Sequence, residues 1–268
     1  MAPSGLDGTH MVDVMSGLVT QAEVLRELHR PGEPLLLPNA WDATTAKAVE
    51  AAGFPAVATT SSAISESLGY EDGQRTPPEE MFAAVGRIAA AVDVPVTADL
   101  EAGYGLEAGE LVERMLAAGA VGLNFEDTDH AAGGEMLVDA DTQAARIASL
   151  RGAAQAAGVE IVINARADPY LRGRDSALDE SLLRGRLYLE AGADCVFPAG
   201  VKEEADIERL VGELDGPVNV LLVPGISEPS RLAELGVARI SAGGGLAMAL
   251  NRSLERRLES LRDGRHYW

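Results

Sequence analysis

The residues best able to do chemistry in this chain are acids that follow apolar runs. Asp99 and Glu101 stand two apart in Thr97-Ala-Asp-Leu-Glu-Ala-Gly-Tyr-Gly105, Glu126 precedes Asp127 in Asn124-Phe-Glu-Asp127, and Asp72 closes Tyr70-Glu-Asp72. Carboxylates drawn together without partners repel one another and raise their own pKa values. A hard divalent cation removes that conflict, and Mg2+ suits a few carboxylates, waters and a chelating substrate. Arg166, in Asn164-Ala-Arg-Ala-Asp168, offers a planar fork for a substrate carboxylate. A cysteine zinc site is excluded because Cys195 is the single cysteine, and His10, His29, His130 and His266 are too scattered for a histidine-rich site.

The overall charge sharpens the demand for a cation. Lys plus Arg total 22 against 42 Asp plus Glu, a formal net charge of −20. That field opposes nucleic-acid phosphates and anionic membranes, so neither is expected as a partner. It would also repel a small anionic substrate unless a local cation intervened. Residues 1–16 are polar and Gly-rich and read as a disordered leader, with no apolar signal segment and no run able to span a bilayer. The expectation is a cytoplasmic protein with one domain over residues 17–268.

The elements that must position these groups recur along the chain. Short apolar runs at 35–38, 56–60, 94–99, 121–125, 161–164, 195–198, 218–223 and 238–241 read as parallel strands covered on both faces. Amphipathic stretches follow them at 43–52, 77–91, 106–118, 142–157, 176–190, 203–214, 229–235 and 246–262. Gly53, Gly119, Gly158, Gly192 and Gly236 each close a helix just before the next strand. The fold class is therefore α/β, a (β/α)8 TIM barrel. An extra helix over 20–29 is placed to plug its bottom. In such barrels the active site lies at the C-terminal strand ends. Those ends carry Asn39, Trp41 and Asp42; Thr60, Ser61 and Ser62; Asp99 and Glu101; Asn124 and Glu126; Arg166 and Asp168; Asn219; and Arg239 and Ser241. Asp42 and Asp168 have a second reading, as caps of the helices that follow. Trp41 either lines the mouth or packs, and Gly243-Gly-Gly245 either approaches an anion or acts as a hinge.

Several segments together resemble the isocitrate lyase/phosphoenolpyruvate mutase superfamily. They are Leu37-Pro-Asn-Ala-Trp-Asp42, Gly53-Phe-Pro-Ala56, Ser65-Glu-Ser-Leu-Gly-Tyr-Glu-Asp72, the 97–105 element, Asn124-Phe-Glu-Asp127 and Asn164-Ala-Arg-Ala-Asp168. The resemblance implies an Mg2+-dependent enzyme that acts on a 2-oxo acid through an enolate. By position Asp99 resembles the direct metal ligand, and Asp72, Glu101 and Glu126 resemble residues that hold the metal through water. Thr60, Ser61 and Ser62 match the segment that binds the oxo-acid carboxylate, with Trp41, Asp42, Arg166 and Asn219 as further substrate contacts. Arg166, Glu126 and Asp72 are the expected catalytic residues. The resemblance also implies a homo-oligomer, dimer or tetramer, in which the last helix is exchanged between subunits.

The chain departs from the superfamily in the loop after the fourth strand. The lyases carry K-K/R-C-G-H there, with the Cys as acid, and phosphonopyruvate-type mutases use an Asn. Here the loop reads Asp127-Thr-Asp-His-Ala-Ala-Gly-Gly-Glu-Met-Leu-Val138 and has neither. His130 and Glu135 are its candidate substitutes. Decarboxylation needs little beyond enolate stabilisation and a proton from water, so an oxaloacetate-type decarboxylase or simple carbon–carbon lyase fits best. A phosphonomutase-like enzyme of P–C bonds and a non-catalytic oxo-acid-binding paralogue are the alternatives. A Schiff-base aldolase is disfavoured, since Lys47 and Lys202 are the only lysines and neither closes a strand.

Overall fold

Pro38 splits the first strand. The computed structural model describes the backbone of residues 8–268 and the side chains from Met15 onward. In it β1 (Leu35–Leu37) and β2 (Asn39–Ala40) flank a proline that has no N–H to give a ladder. The two halves face different neighbours and so close a ring. β2 opens a parallel sheet that continues through β3 (Val57–Thr59), β4 (Val96–Asp99), β5 (Gly122–Glu126), β8 (Val162–Ala167) and β9 (Cys195–Pro198). A Val196–Val218 bridge passes from β9 to β10 (Asn219–Leu221), which pairs with β11 (Arg239–Ser241), and β11 pairs with β1. With β1 and β2 counted as one wall segment, this is the eight-stranded parallel barrel the sequence predicts.

The helices are α1 (Gly8–Glu27), α2 (Ala43–Ala51), α3 (Ser61–Leu68), α4 (Pro78–Ala89), α5 (Ala108–Ala117), α6 (Ala140–Ala157), α7 (Ala177–Glu190), α8 (Glu204–Glu213), α9 (Pro229–Glu234) and α10 (Gly245–Arg262). A small antiparallel hairpin, β6 (Thr128–Asp129) with β7 (Met136–Leu137), fills the loop after β5. The five glycines expected to cap helices all take positive φ. α1 plugs the bottom of the barrel. A Cβ on Gly122 would lie 2.8 Å from Leu25 Cδ2 and 3.0 Å from the Val162 carbonyl, so only glycine admits the plug.

Three expectations are corrected. Residues 8–16 belong to α1 rather than to a leader, while residues 1–7 lie outside the described residues. Met15, Leu18, Ala22 and Leu25 meet the core at helical spacing, a period hidden among polar and glycine residues. The sequence reading places no helix between residues 60 and 77, where the structure has α3. Its serines are indifferent helix formers, but Ala63, Ile64 and Ser65 are buried and fix it by packing. β8 runs to Ala167, so Arg166 stands on the strand itself.

Candidate active site

Strand period and register bring the chemistry together. Asp99, Asn124 and Asn164 are in register across β4, β5 and β8, and one step further toward the C-terminal mouth Glu126, Arg166 and Phe197 are in register. Side chains two apart share a face, so Asn124 with Glu126 and Asn164 with Arg166 point the same way. Above them lies a cavity of about 280 Å³, lined among others by Ser61, Asp72, Glu101, Glu126, His130 and Arg166. A deeper lobe of about 130 Å³ is lined by Thr60, Ser61, Ser62, Asp99, Asn124 and Arg166, with Asp72 at its edge.

Asp99 is buried at the junction. Its Oδ2 accepts the Ser61 N–H at 3.0 Å and the Ser61 hydroxyl at 2.8 Å, while Oδ1 has no hydrogen-bond partner among the described residues. A buried carboxylate oxygen left bare is costly. Glu101, also buried, accepts the Tyr104 hydroxyl at 2.8 Å on Oε1 and the Gln74 N–H at 2.6 Å on Oε2. Loss of water pushes its pKa up to about 7; Tyr104 opposes the shift, and Asp99, Glu126 and Asp72 add to it. Glu126 is divided between His130, at 2.6 Å on Oε1, and Arg166, at 2.7 Å on Oε2. Burial raises it, although the Arg166 charge and the His130 hydrogen bond oppose the shift. Asp72, exposed at the mouth, is raised by partial desolvation and then by the Asp99 charge. His130 is raised above its ordinary value, chiefly by its hydrogen bond to Glu126. One ligand atom from each of Glu101, Glu126 and His130 can be chosen so that all lie within 4.8 Å of one another.

Arg166 is held on two sides. Besides Glu126, its Nε and Nη2 donate to Asp168 at 2.6 and 3.0 Å. Burial works against its charge, but the Glu126 and Asp168 carboxylates outweigh that and keep it protonated. Asp168 therefore caps no helix; it also accepts the Thr128 hydroxyl at 2.5 Å. Asp127 turns away from the cavity into a buried network with Tyr188 at 2.7 Å and Arg184 at 3.1 Å, which ties β5 to α7.

The structure gathers Asp72, Asp99, Glu101, Glu126, Thr60, Ser61, Ser62 and Arg166 around the two lobes. It does not bring Trp41, Asp42 or Asn219 there. Asp42 is exposed and accepts the Thr45 N–H at 2.7 Å, so its carboxylate is spent capping α2. Trp41 packs against the core. Asn219 is fully buried below the floor, 3.4 Å from Ser241. The N–H groups of Ala242 and Gly243 go to Asn39 Oδ1 at 3.0 and 2.7 Å and are not offered to an anion.

Sequence reasoning left His130 as one of two candidates in its loop and missed Gln74 and Arg172. His130 reaches the cavity because the β6–β7 hairpin folds back; the Gly133-Gly134 turn was the available signal. Arg75 and Arg172 line the upper cavity, and the Arg172 Nε is buried without a partner among the described residues.

The family model described as phosphoenolpyruvate phosphomutase matches residues 25–262. An uncharacterized protein of Mycobacterium tuberculosis is 34% identical over 217 residues, covering 81% of this chain and 80% of its own. The 2,3-dimethylmalate lyase of Eubacterium barkeri is 29% identical over 218 residues, covering 78% of this chain and 73% of the lyase. A Burkholderia cenocepacia structure, provisionally described as a phosphonomutase, superposes with a TM-score of 0.85 at 38% identity, covering 91% of this chain and 99% of that one. Lyases and mutases thus both stand among the relatives, and the chain belongs to the phosphoenolpyruvate phosphomutase family of the PEP mutase/isocitrate lyase superfamily.

Proposed function

We propose that the protein is an Mg2+-dependent enzyme that binds a 2-oxo acid and cleaves a carbon–carbon bond through an enolate, as an oxaloacetate-type decarboxylase or simple lyase. The observation that carries this reading is the bare, buried Asp99 Oδ1 beneath a cluster of carboxylates with raised pKa values. Such a donor set fits a hard cation, with Asp99 as the direct ligand. Glu101 and Glu126 have both oxygens engaged by protein groups, which suits contact through water. Asp72 completes the acidic set from the mouth.

When bound, Mg2+ supplies a Lewis acid that stabilises negative charge on the enolate oxygen. The chain's own groups do the rest. The Thr60 and Ser62 hydroxyls, 3.1 Å apart in the deep lobe, are placed to orient a carboxylate. Arg166, fixed between Glu126 and Asp168, presents positive charge where both lobes meet. His130, from the loop that carries the acid in the superfamily's lyases, lines the upper cavity. Glu135, the other candidate, is exposed and lines neither lobe. His130 is therefore the group placed to return a proton to the carbanion carbon.

The test is a turnover panel with Mg2+ over oxaloacetate, methylisocitrate, dimethylmalate and phosphonopyruvate. Pyruvate formed from oxaloacetate above the metal-only rate, or cleavage of one of the hydroxy acids, is expected. Turnover of phosphonopyruvate alone would replace C–C with P–C chemistry, and oxo-acid binding without any turnover would leave a binding protein. Asp99→Ala is expected to abolish Mg2+ binding in calorimetry while the fold persists; unchanged affinity removes the ligand assignment.

A further inference from the structure

Gln74, Glu101 and Tyr104 are the non-glycine residues with positive φ among the described residues, at 61°, 50° and 55°. Side-chain-bearing residues rarely adopt this region, and where they do the surroundings must hold them there. Here they hold one another. The Gln74 N–H donates to Glu101 Oε2 at 2.6 Å, the Tyr104 hydroxyl donates to Glu101 Oε1 at 2.8 Å, and the Tyr104 N–H donates to Gln74 Oε1. The ring closes across segments 27 and 30 residues apart in sequence.

Position 74 uses both of its polar ends. A glycine would adopt the same φ without strain, but it would lose the acceptor that receives Tyr104. The loop this ring holds is otherwise untied. Its ends are fixed by the Tyr70 hydroxyl on Glu80 at 2.6 Å and the Thr76 hydroxyl on Ser65 at 2.7 Å. Between them, the two bonds of Gln74 are the hydrogen bonds that reach from residues 71–75 to the rest of the described chain. Asp72 rides on that loop, and Glu101 is the ring's anchor.

We propose that Gln74 and Tyr104 are positioning residues that clamp the 71–75 loop to Glu101 and so set the places of two acidic groups, Asp72 and Glu101, at the cation site. The clamp rests on the cation reading given above. It acts through Glu101 and Asp72, since neither the Gln74 amide nor the Tyr104 phenol is itself a candidate ligand.

The full-length protein is titrated with Mg2+ by calorimetry as wild type, Tyr104→Phe, Gln74→Ala and Gln74→Gly. Partners that orient a ligand typically change metal affinity by about 10- to 100-fold, and a loss of at least about tenfold is expected in all three variants. Gln74→Gly separates the clamp from mere backbone relief. Relief alone predicts a higher thermal midpoint with wild-type affinity; the clamp predicts weaker binding whatever the midpoint does. A second readout uses Arg75, which is exposed beside Gln74. Limited trypsin cleavage after Arg75 is expected to accelerate in the variants and to lose the Mg2+ protection seen in wild type. Wild-type affinity together with wild-type cleavage in Tyr104→Phe and Gln74→Ala overturns the clamp. Absence of any Mg2+ heat in wild type instead removes the cation reading, and unchanged Arg75 cleavage then removes the clamp as well.

Discussion

Arg166 serves two carboxylates at once, with Nη1 2.7 Å from Glu126 and Nε 2.6 Å from Asp168. A guanidinium committed in that way contributes field and shape to the substrate lobe more than a free fork. Two substitutions separate these parts. Arg166→Lys keeps a cation between the acids but loses the planar fork, and about tenfold weaker binding of pyruvate is expected, with Mg2+ affinity little changed. Arg166→Ala leaves Glu126 and Asp168 buried without their cation, so pyruvate binding, Mg2+ affinity and thermal midpoint should all fall. Calorimetry and thermal melts read all three quantities, and an Ala variant with a wild-type midpoint would sink the ion-pair account. The site residues legible in the sequence were those that strand period places: Asp99, Glu126 and Arg166 point inward because alternate residues of a strand share a face. Gln74 was not legible, because a left-handed turn leaves no periodic trace, and His130 stood only as one of two loop candidates, because a short hairpin leaves none either. Asp42 was assigned to substrate because a cap and a ligand use the same residue type.

At the scale of elements, the strands could be read because parallel strands buried on both faces are continuous apolar runs, and the helix ends because glycine marks them. α3 escaped because its serines weigh little in propensity while its burial comes from tertiary contacts. α10 presents the opposite case, an element legible in sequence that the single chain leaves uncovered. Ala247 is buried, but Leu250, Leu254, Leu258 and Leu261, which recur at helical spacing, are each more than half exposed. A stripe of this kind on a helix that ends the barrel fits a second copy of the chain, and we propose that α10 docks on a neighbouring subunit in a homo-oligomer. The double variant Leu254→Glu/Leu258→Glu is expected to reduce the mass seen in sedimentation to that of one chain. A wild-type protein that sediments as a monomer at micromolar concentration would remove the proposal.

At the scale of the whole molecule, the net charge of −20 is unevenly consequential, because acids inside the barrel and one histidine below it answer falling pH in opposite directions. Glu101, raised to about 7, and Asp127, raised to about 6, take up protons in the folded state before they do in the unfolded chain, so acidification relieves the fold at these sites. His29 acts the other way. It follows the plug helix α1, its Nδ1 lies 2.8 Å from the Leu25 carbonyl, and its Nε2 is buried without a partner among the described residues. Burial, and then the nearby buried Arg239, lower its pKa from 6.5 to about 4. The folded state therefore keeps His29 neutral while the unfolded chain protonates it. Its contribution is fully present above pH 6.5 and is lost as pH falls through about 4, a change on the order of 3 kcal/mol. The two trends overlap, so a single pH–stability curve separates neither. His29→Gln does separate them: the amide can still donate to Leu25 but cannot charge, and every carboxylate stays as it was. Urea unfolding at pH 7 and pH 4 should show wild type losing about 3 kcal/mol more than His29→Gln over that interval. Parallel losses in the two proteins would mean that the histidine beneath the barrel is not held neutral by the fold.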